Sequence, residues 1–508
     1  MLMRVAAAVL AMACAGSVHA AADEQHSHPP PEKLGTVSFP TSCKPTLKPT
    51  FDRALALLHS FAYAASEQAF RDVAARDPRC AIAHWGIAMS LFHQLWEPPS
   101  GNELLEGAKQ VRQALEIRAG SLRERQFIEA LDRYYRDAEH DAPAVRAQRY
   151  ATAMADVARG NPHDTEAQIF YALALIATAP LDDKSHTNQK RAADILEPIF
   201  RQQPQHPGVA HYLIHTYDSA ELAPRGLVAA RAYSRIAPSA PHALHMPSHI
   251  FTRLGLWDDS IASNLAARAA AHDQGDLGEE LHAMDYLAYA LLQRGRYAEA
   301  EQLVVELRSM PNLSAAQFKV GYAATAMPVR LAIERGDWSS ADLLQPLPQS
   351  APQVAALVYW ARALGQARAG HPRSSDAEID GLQACLRDAQ SAGNRYWVTQ
   401  IDTLLKEAQA WRLAADGDAE AAILTLRTAA DEEDAVEKLP VTPGPVVPAR
   451  EQLGDLLLDL SHPDQALREF RAALTIAPGR RRALLGAITA AEHLGDRQTA
   501  AQLHAQLM

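Results

Sequence analysis

Stretches in which Val, Ile, Thr or Tyr alternate with polar residues are hard to find along this chain. Alanine, the residue that favours helix most, is in clear excess. The apolar positions therefore predict helices and no sheet. Punctuation between the helices recurs in one form. A glycine is followed within two residues by an aromatic or acidic residue and then by the start of a second apolar-periodic run. Gly255-Leu256-Trp257, Gly295-Arg296-Tyr297, Gly336-Asp337-Trp338, Gly417-Asp418-Ala419 and Gly495-Asp496-Arg497 all read this way. Asp77-Pro78, Asn161-Pro162, Ala237-Pro238 and Ala477-Pro478 mark the opposite boundary. Ser121 followed by Glu124 is a capping box that opens a helix between such boundaries.

A unit of two antiparallel helices, small residues at their crossing, a glycine in the turn and a proline at the end resembles the 34-residue tetratricopeptide repeat. The predicted fold is all-α: a right-handed solenoid of roughly nine to eleven tetratricopeptide-like helix pairs (~34 residues each). The solenoid spans 49–437, with further pairs over 449–508. Between them, Lys438–Pro448 carries four prolines in eleven residues and cannot be helix. It is either a hinge or a capped link. Pro180–Asn188 and Asp273–Gly278 read as insertions. Residues 21–48 read as extended or disordered.

Composition narrows the function. The chain has 508 residues and a formal net charge of −11, with basic residues scattered. Nucleic acid and anionic membrane surfaces are therefore disfavoured as partners. Residues 1–20 have a positive start, an apolar stretch Val5–Val18 and a small-x-small site at Val18-His19-Ala20. This is a secretory leader, implying a periplasmic or secreted protein. A lipoprotein reading, with Cys14 as the lipidated residue, is the lesser alternative. No later apolar run is long enough to cross a membrane. Export permits disulfides. Cys43 and Cys80 each precede the first helix of neighbouring stacked units and could pair, which leaves Cys385 as a buried small hydrophobe.

Histidine is concentrated. Eight of the 21 histidines fall between His206 and His282. In the repeat register, places two, five, nine and twelve of each unit face the concave wall. His211, His215 and Asp218 occupy three such places in one unit. His242, His245 and His249 occupy them in the next, and His282, Asp285 and Tyr289 in the third. The pairs His211/His215 and His245/His249 are four apart and share a helix face. One reading is a groove for a protein, a peptide or a polar ligand. The alternative is a metal site or metal-dependent enzyme built from His211, His215, His245, His249, His282 and Asp285, suited to Zn, Cu or Fe. A third reading is structural histidines. Pro247 falls inside the helix that carries His245 and His249 and is expected to kink it. Neither His pair has the Glu of a zinc-protease helix. Trp85, Met89 and Phe92 are expected on the same wall nearer the N-terminus, beside His93 and Trp96. His26 and His28 lie in a presumed tail. No phosphate loop, nucleophile elbow or Cys-x-x-Cys is present, and no catalytic residue is assigned.

Asp77–Met89, His211–Asp218, His242–Gly255 and Val441–Glu451 together resemble a family of exported bacterial tetratricopeptide-repeat proteins of poorly defined function. The resemblance implies a scaffold or binding protein and supplies no catalytic residues.

Overall fold

The computed structural model describes residues 32–95, 98–311, 313–315 and 317–507. Residues 1–20, expected as a leader, and Cys14, His26, His28 and Trp96 lie outside these residues. The body Lys33–Met508 is one compact unit. Among the described residues it contains α-helices, two short 3₁₀ turns and no strand. It is a tetratricopeptide-like helical solenoid of twelve successive antiparallel pairs, from Lys48–His59 with Tyr63–Arg76 to Arg481–His493 with Arg497–Leu507.

Twelve pairs exceed the nine to eleven expected, and the first five lack a glycine turn. Their connections run through Ser60–Ala62, residues 91–95 and 98–100, Arg136–Ala142, Thr178–His186 and Asp218–Leu222. The five predicted glycine turns all adopt positive φ, between 64° and 90°. That left-handed conformation ends one helix and redirects the chain, and only glycine takes it without strain. Ser121 and Glu124 form their capping box, and Glu124 also accepts the Ser42 backbone N–H. Asp273–Gly278 contains a two-residue turn at Gly275–Asp276, with Gly275 at φ 69°, between helices Trp257–Gln274 and Leu277–Gln293.

From Lys33 the N-terminal segment runs extended along the body. Leu34, Val37 and Phe39 are buried, and the Thr36 N–H donates to Gln205 O at 2.8 Å. Cys43 and Cys80 form a disulfide, with Cα atoms 4.8 Å apart. Cys385 is free and buried.

Two long-range closures wind the solenoid tightly. Helix Lys48–His59 packs against helix Pro207–Tyr217. The ring of His59 occupies the place where a side chain on Gly208 would otherwise sit. At the other end the C-terminal pairs return to the middle of the chain. The Trp257 indole N–H donates to Gly479 O at 2.9 Å. The wholly buried Arg480 donates to Glu451, Glu334 and Tyr289 at 2.7–2.8 Å.

The proline-rich segment joins helix Ala419–Asp434 to helix Ala449–Asp459 and packs against the inner helices as a strap. Val441, Thr442, Val446 and Val447 are buried. The Tyr286 hydroxyl lies 3.0 Å from both Pro440 O and Thr442 O. Arg330 donates to Gly444 O and Pro445 O at 3.2 Å. Prolines suit this role, because a strap without helix or sheet partners has few backbone N–H groups to satisfy.

Candidate metal centre

Three consecutive first helices supply the histidines. His206 caps helix Pro207–Tyr217 through its ring, with Pro207 in the first turn. His211 and His215 follow one turn apart. Pro247 does interrupt the next helix, splitting it into Pro241–His245 and Pro247–Arg253. The break is mild, because Met246 between them keeps helical angles of φ −53° and ψ −35°. Pro247 then opens the second piece, where its missing N–H matters least. His245 and His249 still project together. His282 comes from Leu277–Gln293.

These six imidazoles gather into two buried triads, His211/His215/His242 and His245/His249/His282. Within each, the potential ligand atoms lie within 4.8 Å of one another. In the first triad His211 Nε2 is 3.1 Å from His215 Nε2 and 3.2 Å from His242 Nε2. In the second, His245 Nε2 is 3.0 Å from His249 Nε2. The triads are neighbours: the His215 and His249 ring centres are 6.0 Å apart, and those of His242 and His245 are 6.2 Å apart.

The other ring nitrogens fix the tautomers. His211 Nδ1 lies 2.7 Å from the backbone oxygen of His59, and His242 Nδ1 lies 3.1 Å from Glu279 Oε2. His245 Nδ1 lies 2.7 Å from Asn264 Oδ1. The orientation of that amide is set by its own Nδ2–H, which donates to Ser260 O at 2.8 Å. His249 Nδ1 lies 2.9 Å from Asp218 Oδ2. All four partners are acceptors, so all four Nδ1 atoms carry the proton. A neutral imidazole has one N–H, so each of the four Nε2 atoms presents a lone pair. His211 and His242 then face each other lone pair to lone pair, as do His245 and His249.

A proton shared between His211 and His242, or between His245 and His249, would relieve this only by creating a buried imidazolium; a neutral His215 can donate its own Nε2–H to His211, which leaves His242 Nε2 still opposed. Burial opposes the imidazolium charge and pushes His211, His215, His245 and His282 well below the ordinary histidine range, and His249 down to about 4. The nearby carboxylates already have cations. Burial works against charge on Asp218, yet Lys438 and Arg253, with the hydrogen bond from His249, hold it well below its usual range. Lys319, with the hydrogen bond from His242, does the same for buried Glu279. A metal cation between the Nε2 atoms satisfies every lone pair. Two nitrogens each about 2.0–2.1 Å from one tetrahedral ion lie about 3.3 Å apart, close to the spacing observed. Nδ1 atoms donating to carboxylate or carbonyl oxygens are the usual outer support of such ligands.

A third group, His59/Glu166/His206, makes the contrast clear. His206 Nδ1 accepts the Val209 N–H, and its Nε2 lies 3.0 Å from Glu166 Oε1. His59 Nε2 lies 2.9 Å from Glu166 Oε2, and its Nδ1 lies 2.9 Å from the Tyr212 hydroxyl. Here each donor meets an acceptor, and the group is complete as a hydrogen-bonded network.

The remaining expected residues separate from the triads. Asp285, expected as a carboxylate ligand, is held by the Arg330 guanidinium at 2.8 and 3.3 Å. Tyr289 belongs to the Arg480 closure. Asp218 supports His249 from outside and also binds Arg253 and Lys438 at 2.9 Å each. Trp85 and Met89 are core rather than wall, with Trp85 packed among Phe39, Phe127 and Phe170. Phe92 packs against Tyr134 with the rings tilted and borders a cavity that reaches His215. The spacing argument omitted His242 from the metal set and found neither Asn264 and Glu279 nor the His59 carbonyl. No periodic signal marks the last three.

No family model matches the chain, and no curated protein matches it. Among solved structures it is similar to a human IFIT1 dimer with m7Gppp-AAAA, at 14% identity and a TM-score of 0.37, over 84% of this chain and 89% of that one. A human IFIT1 dimer with PPP-AAAA gives 14% identity and a TM-score of 0.40, over 84% and 90%.

Proposed function

We propose that this protein binds transition-metal ions in the core of its solenoid, one in each histidine triad, as a two-ion centre. The observation that carries this reading is the pair of Nε2–Nε2 approaches, at 3.2 and 3.0 Å, between imidazoles whose Nδ1 protons are committed elsewhere. All-nitrogen ligation by neutral imidazoles suits Zn²⁺ or Cu²⁺, with Fe²⁺ less favoured in the absence of a ligating carboxylate. A groove that receives a peptide is the weaker reading, because the strap already lies along that wall. A periplasmic or secreted location belongs to the same proposal. The leader pattern supports it, and the Cys43–Cys80 disulfide suits an oxidising compartment.

The test is metal analysis of tag-free protein, stripped and then reloaded. About two equivalents are expected, falling to about one in His211→Ala and in His249→Ala, and to none in the double variant. Less than about 0.1 equivalents in folded wild-type protein after reloading would overturn the reading.

A further inference from the structure

Five of the six triad histidines are between 0% and 3% exposed, but His215 is 8% exposed. Its exposed edge borders a cavity of about 330 Å³, roofed by the strap residues Glu437–Pro440 and floored by Thr216, Asp218 and Ser219. That volume lies at the small end of small-molecule sites. The walls are largely apolar, with Phe92, Leu181 and Leu439 among them. Polar groups interrupt them in a particular way. The side-chain oxygens of Gln94 and Gln189 and the Nδ1 of His186 have no hydrogen-bond partner among the described residues. Gln94 and His186 are themselves 5% and 3% exposed. A carboxamide can turn its NH₂ toward an acceptor, and an imidazole can carry its proton on Nδ1. Buried polar groups left open in this way are unusual in a native wall and mark a ligand surface.

The backbone around the cavity is also unusual. His93, Leu95 and His186, all in its lining, adopt φ of 51°, 70° and 52°. Left-handed backbone at three non-glycine residues persists only where the surroundings impose it.

Charge balance gives the class of ligand. Imidazole ligands add no negative charge to two divalent ions. The supporting carboxylates are already neutralised, Asp218 by Arg253 and Lys438 and Glu279 by Lys319. A three-nitrogen site also leaves a coordination position open. The centre therefore favours an anion with an oxygen donor. The apolar walls favour one with a short hydrocarbon body.

We infer that this cavity is the ligand site of the metal centre and takes a small organic carboxylate, which completes the coordination of the ion on the His215 side. This inference rests on the metal reading above. Leu181 sits in the roof loop, where its O accepts the Glu437 N–H, and its side chain is half-buried. Leu181→Trp fills the cavity without replacing a histidine, and Ala179→Trp does so independently.

The experiment titrates butyrate, and azide in parallel, into the Cu²⁺-loaded full chain and follows the copper absorption bands. A saturable shift is expected in wild type. In both tryptophan variants the same shift should need at least about tenfold more butyrate, with metal content unchanged. A copper spectrum that ignores both anions overturns the inference, and so does one that responds equally in the filled variants. Response to azide alone overturns the carboxylate assignment. Failure to load copper at all is a different outcome, read by metal analysis, and overturns this inference together with the metal reading.

Discussion

His249 Nδ1 lies 2.9 Å from Asp218 Oδ2, and the same carboxylate binds Arg253 of the His249 helix and Lys438 of the strap. One buried carboxylate therefore orients a triad imidazole and fastens the proline-rich segment over it. Asp218→Asn keeps an acceptor but removes the charge. Metal affinity of the His245/His249/His282 triad should fall about 10- to 100-fold, with the other triad nearly unaffected. Competition with a chromophoric chelator measures this. Equal loss at both triads would contradict the assignment.

Acid should destabilise the metal-free protein steeply. In the fold His211, His215, His245, His249 and His282 lie below the ordinary histidine value, with burial as the leading cause. Unfolded, each titrates near 6.5. Above that pH both states are neutral and the histidines add no pH dependence. Below it the unfolded chain binds protons that the fold refuses, so stability drops as pH falls from about 6.5 toward about 4. The slope approaches about 1.4 kcal/mol per pH unit for each such histidine. Urea unfolding at a series of pH values checks this. His215→Gln should flatten the curve, and a wild-type midpoint constant down to about pH 5 would refute the account.

Gly208 has no room for a side chain, because a Cβ there would overlap the His59 ring. Gly208→Ala should cost about 1–3 kcal/mol. It should also weaken the first triad, since the His59 carbonyl holds His211. Gly393→Ser is an unsuitable control, because that glycine has positive φ. Gly278→Ala is suitable, since a Cβ there meets nothing nearer than 3.5 Å. Thermal melts of both variants, with metal content, distinguish a local clash from a general loss of fold.

Arg480 is wholly buried between Glu334 and Glu451. Arg480→Ala leaves Glu451 only the more distant Arg482 and Glu334 only the Gln293 amide, and should cost about 3–5 kcal/mol. Because this residue ties the C-terminal pairs to the middle of the chain, limited proteolysis should then cut near 438–448. Protection equal to wild type would mean that the strap is held without it.

Reduction should lower stability. The disulfide closes a loop with a sequence separation of 37, which the chain-entropy relation values at about 4 kcal/mol. Paired Cys43→Ser and Cys80→Ser substitutions, compared with wild type in a melting experiment, test this. The difference should vanish when wild type is reduced.

The helix pairs were legible because their signals are local. A glycine that must take positive φ, a proline that opens a helix and an alanine-rich apolar stripe each act within a few residues. The repeat register also aligned the histidines of three successive units, because first helices of stacked pairs lie side by side. The same register misplaced Asp285 and Tyr289, since it says which wall a residue faces but not what comes to meet it. Arg330 and Arg480 arrive from later repeats and claim both.

The sequence by itself determined an all-helical solenoid and a histidine-rich stretch on its inner face. Only the tertiary structure decided that this face is a closed core rather than a groove. The superhelix winds tightly enough for His59, Asn264, Glu279 and the strap to reach it from separations of up to 220 residues, as in Lys438 to Asp218. It also divided six histidines into two triads and committed four Nδ1 protons to oxygens. Proton placement depends on partners that helical periodicity does not encode. It is this placement that turns a cluster of imidazoles into lone pairs facing each other across 3 Å, the separation a shared cation would explain.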